Sequence, residues 1–419
     1  MLYMAYWVIK DLKTILLAGA CTGLTISVII FPEAAFNASV SGLRVWWNIV
    51  FPALLPFFII AQLLIGLGVV HMLGVLLEPV MRPVFNVPGS GSFVMAMGLA
   101  SGFPIGAVLT TQLRKQNLCN KTEAERLLSF TNTADPLFMF GAVSVGMIGY
   151  PEAGIIIACA HYLSSLSVGL IMRFYKNKEQ PSSPPSKIKE QNLLARSLSS
   201  LIKARQKDNR PLGQLMGDAV MKSVETLMLI GGLIILFSVI ISILEEISLA
   251  GFMAREVGHL LSLSGLSTNL SPAIISGIFE IDLGCQAAGG SQAPLRDIII
   301  ISSVIIAWSG LAVHAQVASI ISETDINIIP YLIARLIHGT LAGIYSFLLA
   351  GPVFPLIETV AIPAIYNLKP TGDIIFWWAR TTIMFQYLIL ILLSLGLLSI
   401  IAYFFSKIKL KITLPKTMD

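Results

Sequence analysis

Three carboxyl side chains, Asp135, Glu280 and Asp282, stand inside sequence that is otherwise apolar, with Gln286 four residues beyond Asp282 and His314 and Gln316 in a further apolar run. A charge at the centre of a bilayer costs on the order of 3 kcal/mol even on the lenient insertion scale, so each needs a partner, a proton or a wet cavity. Two acids two residues apart can accept protons or hold a cation; the plainer reading is a hydrated pair at a turn. Asp135 follows Thr131, Asn132 and Thr133 and precedes Pro136. An Asp before Pro also suits a cap that opens the second half of a broken helix, and capping does not exclude a place in a substrate or ion path. For His314, packing through a hydrogen bond and ligand binding both stand open.

A second kind of signal is carried by the backbone. In Gly98-Leu-Ala-Ser-Gly-Phe-Pro-Ile-Gly106 the glycines recur every four residues, which in an unbroken helix would make a close-packing face. Pro104 argues against an unbroken helix, because it removes a backbone donor and disfavours helical geometry at Phe103. The expectation is a hairpin tip over 101–106, with Ser101, Gly102, Pro104 and Gly106 presenting backbone amides to a cavity. Amides at the start of a half-helix favour carboxylate or phosphate groups.

The elements that hold these residues occur twice. A long apolar helix, a short amphipathic piece, an interrupted segment and a second interrupted span succeed one another over 43–70, 71–85, 98–106 and 130–136, and again over 220–244, 249–263, 277–284 and 307–316. Gly98 to Asp135 and Gly277 to His314 are both 37 residues, which makes His314 the counterpart of Asp135. Interrupted apolar segments in two related halves point to a transporter's binding site at the membrane midplane.

Composition fixes the class. With 55% hydrophobic and 12% charged residues and a mean hydropathy of +0.81, the chain has too little polar sequence for a soluble surface. It is read as an all-α polytopic membrane protein with at least eight crossings, near 14–31, 45–70, 127–149, 151–172, 220–244, 298–321, 331–350 and 374–405. Lys and Arg collect at 10–13, 114–126, 173–210 and 407–416. The positive-inside rule then favours 91–113 dipping in from the cytoplasmic face and returning, with 271–295 doing the same from the outer face. The result is a pair of inverted repeats with two re-entrant hairpins. The expected divisions are a first span over 1–36, a first repeat over 37–175, a basic cytoplasmic linker over 176–216, a second repeat over 217–350 and a last span with a basic tail over 351–419.

The segment from Arg173 to Arg210 carries ten basic and three acidic residues, more net charge than the whole chain's +5. It reads as a linker on anionic headgroups or an anion-gathering segment, with 194–207 forming a basic surface helix. The charges of 71–85 and 249–263 are expected to be solvated at headgroup level, and Arg335 and His338 to reach the interface. The four cysteines have no paired spacing, and no zinc-protease, metal-binding or nucleotide-binding pattern occurs. No enzyme activity, metal, cofactor or nucleic-acid partner is expected; the lipid bilayer, a small-molecule substrate, a coupling ion and a homo-oligomer are admitted as partners.

At Gly98–Gly106, together with Leu128-Ser-Phe-Thr-Asn-Thr-Ala-Asp-Pro-Leu-Phe138, the chain resembles the nucleoside-recognition or gate domain family, and within it the sporulation integral membrane proteins of endospore-forming bacteria. The resemblance implies a fold like that of concentrative nucleoside transporters, with the site between two hairpins and two unwound helices. It implies carriage of dipicolinate, an aromatic dicarboxylate, across the outer forespore membrane. On that reading Ser101, Gly102, Pro104, Gly106, Thr131, Asn132, Asp135, Glu280, Asp282, Gln286, His314 and Gln316 form the substrate site. The acids fit a dianion only when protonated, cation-bound or turned away. A nucleoside or other small solute coupled to protons or sodium, and a membrane scaffold without transport, are the alternatives.

Overall fold

The computed structural model describes residues 12–177, 179, 182 and 193–351. The expected span and tail over 351–419, save Gly351, and most of the middle linker's Pro-rich start lie outside the described residues.

The described chain is helical. After α1 (Leu12–Ile30), a long helix α2 (Pro32–Gly66) leads to a short α3 (Val69–Val80), the pair α4 (Gly91–Ser101) and α5 (Ile105–Lys115), the interrupted pair α6 (Lys121–Thr131) and α7 (Phe138–Met147), and α8 (Ala153–Met172). The same order then returns: α10 (Leu212–Glu246), α11 (Leu249–Leu263), the pair α12 (Ser271–Phe279) and α13 (Ile281–Gly289), the interrupted pair α14 (Leu295–Trp308) and α15 (Gly310–Ile321), and α16 (Ile328–Ala350). Between the copies lies α9 (Leu193–Asp208), which matches the basic surface helix expected at 194–207. Among the described residues five stretches are long and apolar enough to cross a membrane: Pro32–Gly66, Ala153–Met172, Leu212–Glu246, Leu295–Ile321 and Ile328–Ala350. The first begins at Pro32, so the division expected at residue 36 falls inside a continuous helix.

Each break arises from local chemistry. Gly102 takes φ +72°, a conformation open to glycine at no steric cost, and Phe103-Pro104 separates α4 from α5. Glu280 is extended, at φ −148° and ψ 133°, and ends α12 while its side chain caps α13. α6 opens with a capping box: Asn120 Oδ1 accepts from the Glu123 amide at 2.8 Å, and Glu123 Oε2 accepts from the Asn120 amide at 3.0 Å. Past Thr131 the backbone unwinds over Asn132–Asp135 and re-forms as the wide-wound α7, where the Ile148 amide donates to the Val143 carbonyl at 2.8 Å.

The two members of each short pair pack against one another, and the segments that precede and follow each pair meet. Arg82 Nη1, before the first hairpin, meets Glu123 Oε1 after it at 2.5 Å, and Arg126 Nη1 donates to the Asn86 carbonyl at 2.9 Å. At the second, the Ser267 amide donates to Asp297 Oδ2 at 2.9 Å. α6 and α7 run from the first hairpin's feet to Met147, whose carbonyl lies against Gly289 at the foot of the second. α14 and α15 lead to the loop that holds Asp325, which takes Arg114 at the end of the first pair through Nε (2.8 Å) and Nη2 (3.0 Å). One apolar core joins the copies, with Val50, Leu54, Ala134 and Met139 packed among Ile234, Ile281, Ile305 and Val313.

Basic groups of 114–126 and 173–176 lie together. Lys176 reaches Glu125 at 3.8 Å, Arg126 donates to the Tyr175 carbonyl at 2.5 Å through Nη2, and Thr122 bonds Glu179. The charges of α3 and its extension are not solvated as expected. Glu78 holds Arg196 of α9 at 2.7 Å because α3 packs against α9 and α4, and Arg82, in the extension of α3, is paired with the buried Glu123 of α6.

Candidate functional site

The hairpin tips and the helix breaks meet at one place. A cavity of about 70 Å³ is walled by Phe103 of the first tip, Ala134, Asp135 and Phe138 of the first break, Glu280, Ile281 and Asp282 of the second tip, and Ala312, Val313 and Gln316 of α15. Leu54 and Phe58 of α2 and Ile230 and Leu233 of α10 close its apolar side. Of the residues expected to form a site, Asp135, Glu280, Asp282 and Gln316 therefore share one wall, with the Gly102–Pro104 turn beside Asp135.

Two of the acids cap half-helices. Asp135 Oδ1 accepts from the Leu137 and Phe138 amides, both at 2.9 Å, at the start of α7. Glu280 Oε2 accepts from the Leu283 amide at 3.0 Å at the start of α13. A carboxylate at a helix N-terminus satisfies amides that have no intrahelical partner and lies in the favourable end of the dipole. Asp282 is placed differently: its Oδ1 is buried without a partner among the described residues, as is Oε1 of Gln286, one turn further along α13. The Ser101 hydroxyl is likewise buried and unpartnered. α5 starts at Pro104 with no side-chain cap among the described residues.

Thr131, Asn132 and Gly106 lie behind the cavity wall. The Thr131 carbonyl is cradled by Gly98 and Gly106: a Cβ on Gly106 would stand 2.5 Å from it, and one on Gly98 closer still. These two glycines are needed for close approach of the hairpin's arms to the unwound strand, which a continuous four-residue face would not allow.

His314 does not reach the cavity. Its Nε2 donates to the Trp308 carbonyl at 2.9 Å, and its ring packs edge-on against Trp308 and Tyr331. The second break is a single residue at Ser309 (φ +72°) next to Gly310, so His314 sits inside α15 and not at the place that Asp135 occupies. Equal spacing from Gly98 and Gly277 does not give equal position, because the first span unwinds over four residues and the second over one.

The unwound strand is held by residues that the apolar pattern of their helices hides. Arg335, fully buried, donates to the Ser129 carbonyl at 2.6 Å and the Asn132 carbonyl at 3.1 Å, satisfying the open end of α6, and its guanidinium lies 5.3 Å from the Tyr331 ring centroid. Asn132 Nδ2 donates to Tyr331 Oη at 3.0 Å. Thr133 Oγ1 donates to the Gly98 carbonyl at 3.2 Å, the Ala134 amide to His161 Nε2 at 3.1 Å, and Tyr162 Oη to the Ala134 carbonyl at 3.2 Å. His338 Nε2 donates to the His161 carbonyl at 3.0 Å. Arg335 and His338 are thus interior residues and not interfacial ones; the cation serves the negative end of α6, where its charge and donors are both used. His161 and Tyr162 are ionisable or polar groups mid-span, and that alone marks them in the sequence.

No group of three or more metal-holding side chains occurs among the described residues. Residues 48–151 match the Gate family, described as nucleoside recognition, which takes in α2 from Asn48, the first hairpin and the first broken helix. A solved structure of a doubly substituted CNTnw in an outward-facing state is similar at 12% identity over 84% of this chain and 87% of that one, with a TM-score of 0.45. The sporulation integral membrane protein YlbJ of Bacillus subtilis (strain 168) is 47% identical over 346 residues, which cover 83% of this chain and 85% of that protein. With that share of both chains matched, the chain belongs to the YlbJ family of sporulation integral membrane proteins.

Proposed function

We propose that this protein is a secondary carrier that moves a small metabolite by alternating access, with dipicolinate across the outer forespore membrane as its substrate during sporulation. The observation that carries the reading is the cavity itself: its polar wall is built from Asp135 in the first half of the chain and Glu280, Asp282 and Gln316 in the second. On this proposal the two halves are inverted repeats with re-entrant hairpins, in which exchanging the conformations of the two halves exchanges the open side. A space of about 70 Å³ holds a handful of waters, so an aromatic ring enters only when the tips part.

An aromatic dicarboxylate finds matching surfaces in Phe103 and Phe138 for its ring and in the uncapped amino end of α5 for a carboxylate. The Asp135 and Glu280 carboxyls already occupy the amino ends of α7 and α13. A dianion beside three carboxyls needs protons on the wall or an accompanying cation, so uptake is expected to draw on a proton or cation gradient.

The same three acids with Gln316 support a second reading, a proton- or sodium-coupled carrier of a nucleoside or another neutral solute. Uptake of labelled dipicolinate into proteoliposomes, beside labelled nucleoside and an Asp135→Asn variant, separates the two. Saturable dipicolinate uptake that the variant loses supports the first; nucleoside uptake alone supports the second; absence of flux under any ion gradient overturns both and leaves a membrane scaffold.

A further inference from the structure

Away from the cavity, α9 lies across α3 and forms a groove of about 720 Å³ lined by His71, Arg196, Ser199, Ser200, Lys203 and Lys207. The helical period puts Arg196, Ser199, Ser200, Lys203 and Lys207 on one face of α9. Leu194, Leu198 and Ile202 lie on another and are more than half exposed, as in a helix that rests in the lipid interface. Arg196 is tethered by Glu78 at 2.7 Å. Lys203 and Lys207, one turn apart, have no carboxylate within ion-pair distance among the described residues. Two like charges at this spacing repel, and here they do so over a groove that holds a third cation. At the groove floor the ring of His71 packs tilted against Phe93 with centroids 4.7 Å apart, and its Nδ1 is buried with no hydrogen-bond partner among the described residues. Ser200 Oγ bonds the His71 carbonyl at 3.4 Å, which closes α9 onto α3 at this point.

We propose that the groove between α3 and α9 is a binding site for a phosphate oxyanion, carried by an anionic phospholipid headgroup or free in solution. Convergent ammonium and guanidinium groups, the Ser199 hydroxyl and an unsatisfied ring nitrogen are the donor set for several oxygens on one centre. Exposed apolar residues on the same helix put the groove at headgroup depth, where phosphate is abundant. The site is separate from the central cavity and does not depend on what that cavity carries.

The test uses the full-length protein and a Lys203→Gln/Lys207→Gln variant, with Lys222→Gln on exposed α10 as a control outside the groove. In one arm, native mass spectrometry counts phosphatidylglycerol retained on protein released from mixed phosphatidylcholine and phosphatidylglycerol bicelles. In the other, inorganic phosphate is titrated onto protein in phosphatidylcholine nanodiscs and monitored by phosphorus NMR. Retention of phosphatidylglycerol that falls about tenfold or more in the double variant, and not in the control, supports the site with a lipid source. Phosphate binding lost in the same way supports it with a soluble source. Equal binding by wild type and double variant in both arms, or none by either, overturns it.

Discussion

Gly102 backs directly onto Asp135: a Cβ at Gly102 would stand 2.5 Å from Asp135 Oδ2, and the residue's φ is +72°. In the second copy the partners are exchanged. There the glycine, Gly310 (φ +69°), belongs to the broken helix and the acid, Glu280, to the hairpin tip; a Cβ on Gly310 would lie 3.2 Å from the Glu280 amide nitrogen and 3.0 Å from the Phe279 carbonyl. Each copy thus brings hairpin and break together through one glycine and one acid-bearing residue.

Gly102→Ala is expected to lower thermal stability and abolish uptake. It forces a Cβ into the Asp135 carboxylate from a positive φ, a strain of order 1–3 kcal/mol before any clash is counted. Gly217→Ala, in α10 where a Cβ would meet nothing within 4 Å, is expected to leave melting temperature unchanged or slightly raised. Melting curves of the purified variants in detergent check both; equal melting of Gly102→Ala and wild type would remove the close approach.

Asp135→Asn keeps an oxygen for the Leu137 and Phe138 amides and removes the charge, whereas Asp135→Ala removes both. The alanine variant is expected to lose about 1 kcal/mol more stability than the asparagine variant. Uptake is expected to fall in both. Wild-type uptake by a well-folded Asp135→Asn protein would take the carboxylate out of the transport path.

Arg335→Leu leaves the Ser129 and Asn132 carbonyls buried and unpaired at the open end of α6. Each bond to a charged donor is worth roughly 1.5–3 kcal/mol, so the variant is expected to fail to accumulate as folded protein. Arg335→Lys, with one donor centre in place of a fork, is expected to fold with reduced stability and a looser unwound strand. Proteolysis of the two variants in membranes reads the difference; wild-type resistance in Arg335→Leu would contradict the anchoring role.

At the first hairpin's foot the Arg114–Asp325 pair, with Lys115–Glu323 beside it, ties the hairpin to the loop between α15 and α16. A surface pair of this kind contributes about 0.2–1 kcal/mol. Arg114→Glu is expected to loosen that end and raise the uptake rate or leak, and Arg114→Glu/Asp325→Arg to restore both. The hydrogen bond from Arg114 holds the Asp325 carboxyl below its ordinary value of 3.8. Its contribution is therefore present above that value and is lost only as the pH falls further, through the lowered one. From roughly pH 5 to 8 the latch is expected to be constant, so a pH dependence of uptake in that range that vanishes in Asp325→Asn would refute this assignment.

The positions of the apolar runs, the doubled order of elements and the turns at Gly102–Pro104 and Asp135–Pro136 were legible in the sequence. They rest on local backbone chemistry: a proline without a donor, a glycine free to take positive φ, an acid that caps the half-helix on its C-terminal side. Which side chains face the cavity was not legible. Gln316 and His314 are two residues apart and point to different surroundings, because the facing of α15 is set by its packing against α5 and α16 and not by its own composition. The anchoring of the unwound strand depends on partners 27 to 206 residues away in the chain, His161, Tyr331 and Arg335, and no local spacing encodes that pairing. The sequence by itself determined that the helices break and where, since breaking is a property of a few adjacent residues. Only the tertiary structure decided that the breaks meet around one cavity and that a buried arginine closes one of them, because unpaired backbone groups are satisfied by whichever donors folding brings within reach.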